Sequence, residues 1–256
     1  MNKPAKTFQV DALSVRLYQS EIDMAHDAAL IAQKYLRSIL ISQGTATIIL
    51  ATGNSQLKFL QTLTDLGGLD WSGITCFHLD EYLGIAADHP ASFRRYLRER
   101  VEQRVHPRQF HYIAGDALQP LEECDRYAQL LRSQPIDLCC LGVGENGHLA
   151  FNEPTVANFN DRHLVKVVRL DSRNCQQQVN QGHFSSFDAV PQYALTLTIP
   201  TICSAQKILC LVAGKRKAKI VKAILQGHIS PACPASVLRK QTQATLFIDT
   251  DAASLL

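Results

Sequence analysis

The chain has 256 residues, of which 46% are hydrophobic and 19% charged, with a formal net charge of +3. That length suits a single α/β domain, residues 1–256, with a sizeable core, and so small a charge argues against nucleic acid as a partner. No stretch approaches the roughly 18 apolar residues of a membrane span, and the N-terminus "MNKPAKTFQV" lacks the apolar core of a secretion signal. Of the eight cysteines, Cys76, Cys139, Cys140 and Cys210 lie inside apolar strand-like runs, and no C-x-x-C spacing occurs. That placement argues against a disulfide framework or a tetrathiolate zinc site, and the cytoplasm is the expected compartment.

In chain order, Ser20 can cap a helix whose apolar residues recur at Ile22, Ala25, Ala29, Ala32, Leu36 and Ile39, with Gly44 as its stop. "TATIILA" (45–51) is a continuous β-favouring run of the kind buried on both faces of a parallel sheet. A second periodic stretch runs from Leu57 to Leu66, and "GITCFHLDEYLG" (73–84) reads as a strand running into acidic residues. Residues 89–105 read as a helix with Pro90 in its first turn, 121–133 as another, and 136–144 as a third strand. Residues 163–170, 193–199, 207–214 and 244–252 read as further strands, with a helix from Lys215 to Gly227 and a loop over 229–234. Strand and helix alternating along the whole length imply βαβ units and a mostly parallel sheet covered on both faces. In such sheets ligands bind beyond the carboxyl ends of the strands.

Four strand ends carry suitable residues. Thr52-Gly53-Asn54-Ser55 precedes a helix, so its backbone N–H groups and hydroxyls can hold an anion, or it is an ordinary N-cap. Asp80 and Glu81 follow an apolar strand directly. Two adjacent carboxylates cannot both point one way: one can face the crevice as a general base while the other faces outward or caps the next element. "LGVGENGHLAFNEP" (141–154) fits G-x-G-x-x-G through Gly142, Gly144 and Gly147. A dinucleotide turn would continue into a helix, whereas here Pro154 follows and Glu145, Asn146, His148, Asn152 and Glu153 crowd together. A histidine with an acidic partner suits proton transfer near neutrality. Lys215, Arg216 or Lys217, after the strand at 207–214, could neutralise a phosphate at the first turn. Together these suit a small phosphorylated substrate undergoing proton transfer, with no metal-ligand spacing such as H-E-x-x-H.

"LDEYLG" followed by "GVGENGHLAFNEP", with "YALTLTIPTI", "GKRKA" and "PASVL…ATLFID", resembles the glucosamine-6-phosphate deaminase (isomerase) family over nearly the whole chain. The wider group includes galactosamine-6-phosphate isomerases and, more distantly, 6-phosphogluconolactonases and ribose-5-phosphate isomerases. The resemblance implies a modified Rossmann-like three-layer α/β fold, with a mostly parallel central sheet and helices on both faces. It implies a sugar phosphate as the small-molecule partner, a monomer or small homo-oligomer, and neither cofactor nor metal. Asp80 then matches the base that takes the C2 proton, His148 the residue that opens the sugar ring, and Glu153 the acid that orients it. Asn146 stands at a position that is Asp in some members; it can hydrogen-bond but supplies no charge. Thr52, Gly53, Asn54, Ser55 and Lys217 fall at the phosphate site, and Glu81, Gly147 and Arg173 are further substrate-binding candidates.

The chain departs from the family in two places. Many members read T-G-G-T-P where this chain reads "TGNSQ", and many carry a phosphate-gripping lid arginine where "LDSRNCQQQVNQGHF" puts glutamine, with Arg173 the nearest cation. The pattern after N-E-P does not match that of allosteric members, so no activation by N-acetylglucosamine 6-phosphate is expected. The implied activity is isomerisation coupled to deamination of glucosamine 6-phosphate. Its competitors are galactosamine-6-phosphate turnover, 6-phosphogluconolactone hydrolysis and a sugar-phosphate-binding regulator without turnover.

Overall fold

The computed structural model describes residues 3–180, 182 and 184–256, without the side chains of residues 172–174 and 177. The strands are β1 (Lys6–Val10), β2 (Leu13–Tyr18), β3 (Ala46–Leu50), β4 (Ile74–His78), β5 (Asp80–Tyr82), β6 (Gln109–His111), β7 (Leu138–Gly142), β8 (Val165–Arg169), β9 (Tyr193–Leu197), β10 (Lys207–Val212) and β11 (Ala244–Asp249). The helices are α1 (Glu21–Gln43), α2 (Asn54–Asp65), α3 (Phe93–Leu97), α4 (Gln103–Val105), α5 (Pro120–Arg132), α6 (Ser172–Asn180), α7 (Ile199–Cys203) and α8 (Ala218–Gln226).

Eight strands form the main sheet in the order β1-β2-β11-β10-β7-β3-β4-β6. All pairs are parallel except the β1–β2 hairpin at one edge. Alternation along the strands splits the core. Ile48, Leu50, Cys76, Cys140 and Leu211 face a layer built by α1 and α2, with Met24, Leu36 and Phe59 among its members. Ile49, Phe77, Cys139, Leu141 and Cys210 face the opposite layer of α5, α7 and α8. Adjacent Cys139 and Cys140 therefore serve two different cores, and all eight cysteines are free. Among the described residues no helix is long and apolar enough to cross a membrane.

The ends of α1 follow local chemistry. The Ser20 hydroxyl accepts from Asp23 N–H at 3.1 Å, and Gly44 closes the helix in the left-handed region at φ 76°. Elsewhere tertiary structure overrides the sequence reading. The single strand expected over 73–84 breaks at Leu79: β4 stays in the main sheet, while β5 pairs antiparallel with β9 in a second, three-stranded sheet, β5-β9-β8. Residues 163–170 and 193–199 thus belong to that antiparallel sheet and not to the parallel one. The half-open burial of β8 fits this, because an antiparallel sheet tolerates a solvated face. The helix expected from residue 89 starts at Phe93, after Pro90, with Ser92 as N-cap, and passes through a π turn at Arg98–Glu102 before α4.

α5 reaches across to pin the end of β4. The buried Tyr127 hydroxyl accepts from His78 N–H at 2.9 Å and lies 3.0 Å from His78 O and 3.1 Å from His111 O. Tyr127→Phe should leave the His78 amide without a partner and cost about 1–3 kcal/mol of stability, read as a lower urea midpoint at unchanged m value.

Candidate active site

The carboxyl ends of β3, β4, β7, β10 and β11 open onto one cavity of about 890 Å³. β7 lies between β3 and β10 in the sheet. After β3 the chain builds outward through β4 and β6, then returns to place β7 on the other side of β3, so the cavity sits at the switch point where such folds bind ligands. The turns leaving β3 and β10 flank the end of β7, and each contains a glycine at positive φ. Gly53 (φ 105°) caps α2, and Gly214 (φ 87°) caps the 3₁₀ turn Lys215–Lys217; neither helix start has a side-chain cap. Thr52, Gly53, Asn54 and Ser55 line the cavity on one side of β7, and Lys215, Arg216 and Lys217 line it on the other. Uncapped N–H groups on one side and cations on the other are groups that can hold an anion. Tyr96 Oη holds the first turn by donating to Gly53 O at 3.1 Å, and the buried Asp249 carboxylate holds the second by accepting from Gly214 N–H at 3.0 and 3.1 Å. Lys217 Nζ donates to Val143 O at 2.7 Å, and burial lowers its pKa.

The adjacent carboxylates face opposite ways. Asp80 lines the cavity at 7% exposure. Burial, and then the neighbouring Glu81 charge, push its pKa well above the ordinary carboxylate range, and no described residue supplies a donor or cation to offset them. Glu81 is fully buried and does not line the cavity, so it takes the other role open to the pair, holding the next element. The reason is its donors: Ser92 Oγ at 2.7 Å, Arg94 N–H at 2.9 Å, Tyr82 N–H at 3.0 Å and Phe93 N–H at 3.1 Å. Glu81 thus binds the N-cap Ser92 and the first amides of α3, fixing where that helix starts.

The β7 turn closes on itself: Gly147 N–H donates to Gly144 O and Gly144 N–H to His148 O, both at 3.0 Å. No helix begins between β7 and β8, which removes the dinucleotide reading of G-x-G-x-x-G. The glycines serve close approaches instead. A Cβ on Gly142 would lie 2.7 Å from Ser55 Oγ, and one on Gly144 would lie 2.1 Å from His148 Cε1. His148 lines the cavity. Its Nδ1 lies 2.8 Å from Asn146 Oδ1 and 3.0 Å from Glu153 Oε1, while Asn146 Nδ2 donates to the other Glu153 oxygen. Both partners of Nδ1 are acceptors, so Nδ1 carries a proton and Nε2 is left to exchange one. Gly147 does not line the cavity. It turns at φ 89° with Ile220 and Cys233 packed against it, and its carbonyl accepts from Ala235 N–H at 2.8 Å.

Arg173 lies on α6, but its side chain falls outside the described residues. Gln178 on the same helix does line the cavity. Not foreseen from the sequence are Tyr82, Phe93 and Phe151, which pack into an aromatic wall with centroids 5.0–5.8 Å apart, and Asp249, Thr250 and Asp251 at the end of β11. The last three obey the strand-end rule and could have been found by applying it to the final strand. Among the described residues no three metal-ligating side chains cluster to hold a metal.

The sequence pattern of the glucosamine-6-phosphate isomerase/6-phosphogluconolactonase family matches residues 19–247. The chain belongs to that family. Within it, glucosamine-6-phosphate deaminase 1 of Bacillus subtilis (strain 168) is 38% identical over 231 residues, covering 88% of this chain and 93% of the relative. The glucosamine-6-phosphate deaminase of Halothermothrix orenii is 34% identical over 250 residues, covering 95% of this chain and 100% of the relative. A solved monomeric glucosamine-6-phosphate deaminase superposes with a TM-score of 0.87 at 35% identity, over 94% of this chain and 99% of that one. The 6-phosphogluconolactonase of Trypanosoma brucei shares the fold, with a TM-score of 0.78 at 17% identity over 98% of this chain and 100% of that one.

The raised Asp80 pKa has a sign that can be checked. The folded protein keeps this proton to higher pH than the unfolded chain, so stability falls as pH rises above about 4, the ordinary carboxyl value. Asp80→Asn should therefore be more stable than wild type at pH 7, by a margin that shrinks to nothing as pH falls towards 4. Denaturant titrations at several pH values measure it, and a variant less stable at pH 7 would refute the assignment.

Proposed function

We propose that this family member is a glucosamine-6-phosphate deaminase, converting glucosamine 6-phosphate and water to fructose 6-phosphate and ammonia. What supports the reading is one cavity lined by both turns, the buried Asp80 and His148, with Asn146 and Glu153 holding the imidazole from behind. The substrate phosphate sits between the turn at Thr52–Ser55 and Lys217, which fixes the sugar relative to the acid–base groups. His148 Nε2 moves the proton between O5 and O1 that opens the ring, its orientation held by Asn146 and Glu153. Asp80 then takes the C2 proton. Its raised pKa makes it a stronger base than an ordinary carboxylate and brings it nearer the operating pH. The electron pair left at C2 forms the C1–C2 double bond of an enolamine while the C1–O1 double bond becomes single and O1 takes a proton. Return of the proton to C1 leaves an imine at C2, and water displaces ammonia from it to give the ketose.

The chain works on this small molecule as a monomer or small homo-oligomer, and its free, mostly buried cysteines suit the cytoplasm. A lactonase needs an activated water but no C2 base, so Asp80 separates the two chemistries.

Purified protein given glucosamine 6-phosphate should release ammonia and fructose 6-phosphate in equal amounts. Asp80→Asn and His148→Gln should each lower kcat by about 10²–10⁴-fold, the usual contribution of a general base or acid. Full deaminase activity in Asp80→Asn would rule out its role as base. Gly144→Ala should lose kcat much as His148→Gln does, because the new methyl group occupies the place of the imidazole; near-normal kcat in that variant would show that the observed ring position is not needed for turnover.

A further inference from the structure

Gln56, in the first turn of α2, has no part in the chemistry above. It is completely buried, yet among the described residues only half of its amide is bonded: Nε2 donates to Ser55 Oγ at 3.2 Å, while Oε1 has no partner. Burying an amide with an unmet carbonyl opposes folding, and an apolar side chain would avoid the cost. The one bond it makes is to a hydroxyl that lines the cavity. A serine hydroxyl has a single proton and two lone pairs. With Gln56 Nε2–H on one lone pair, the Ser55 proton stays available to an acceptor in the cavity. The opposite amide orientation would offer Oε1 and draw that proton into the core. Gly142 permits the arrangement, since a Cβ there would lie 2.7 Å from Ser55 Oγ and 3.5 Å from Gln56 Nε2.

We infer that Gln56 is a positioning residue that commits the Ser55 hydroxyl to donate to the phosphate group of the substrate, setting affinity for the phosphorylated end without touching the reacting carbons. The inference rests on the proposed phosphate site at the first turn. It also gives a physical role to one of the places where this chain departs from the family's T-G-G-T-P pattern.

The test compares wild type, Ser55→Ala, Gln56→Met and the double variant by steady-state kinetics on glucosamine 6-phosphate and by calorimetric titration with inorganic phosphate. Gln56→Met should raise both KM and the phosphate Kd about fivefold, the size of one hydrogen bond. It should act on kcat/KM through KM and should not lower Tm. In the Ser55→Ala background the same substitution should change neither constant. A fall in Tm with unchanged KM and Kd would overturn the inference, as would effects of the two substitutions that simply multiply. Gln56→Leu repeats the comparison if the methionine variant does not fold. A wild type that releases no ammonia, but whose phosphate affinity drops in Gln56→Met, would sink the deaminase reading and keep the inference. An active wild type indifferent to the substitution would sink the inference alone.

Discussion

An extended strand sends neighbouring side chains to opposite faces, and at Asp80 and Glu81 that constraint organises the site. Glu81 turns into the core and collects the hydroxyl of Ser92 and the amides of Tyr82, Phe93 and Arg94. Those bonds fix where α3 begins. They also bring the Arg94 guanidinium alongside, bridged in turn to Asp116 and Ile85 O. Asp80 is left facing the cavity with a buried carboxyl and no donors, beside a carboxylate that already holds the local ones. One residue of the pair is structural so that the other can be a base.

The same economy governs the β7 turn. Two carboxylates on one imidazole nitrogen would repel each other. Asn146 avoids this, because its amide accepts from His148 through one end and donates to Glu153 through the other. An aspartate at this position could not make the second bond while ionised. The uncharged residue therefore completes a three-membered chain of hydrogen bonds. Gly144 completes the arrangement by leaving its Cβ position to the imidazole, and Gly142 does the same for Ser55 one strand-end away.

Much of the main sheet was legible because its signals are local. The caps of α1 at Ser20 and Gly44 are short-range hydrogen-bonding and backbone effects, and β3, β7 and β10 are continuous apolar runs because both of their faces are buried. Three strands went unread: β1 and β2 alternate, with Phe8, Val10, Leu13 and Val15 turned to the core, but they form a short edge hairpin ahead of the first helix, and β6 has three residues. The break at Leu79 is invisible in "CFHLDEY", since both sides of it are extended and buried; only the pairing partners differ. Sequence alone left open which of Asp80 and Glu81 faces the cavity, and bonds to residues more than ten positions distant decide it: Ser92, Phe93 and Arg94 hold Glu81, as Ala235 holds Gly147.

The sequence by itself determined the layered α/β architecture, the strand ends at which function-bearing residues gather and the types of group present there, because periodicity, caps and glycine turns act over a few residues. The tertiary structure decided which carboxylate faces the substrate, that β5, β8 and β9 form a sheet of their own, and that Gln56 lies buried against Ser55. These depend on contacts between segments far apart in the chain, where burial and the supply of hydrogen-bond donors, set by the whole fold, determine what each side chain does.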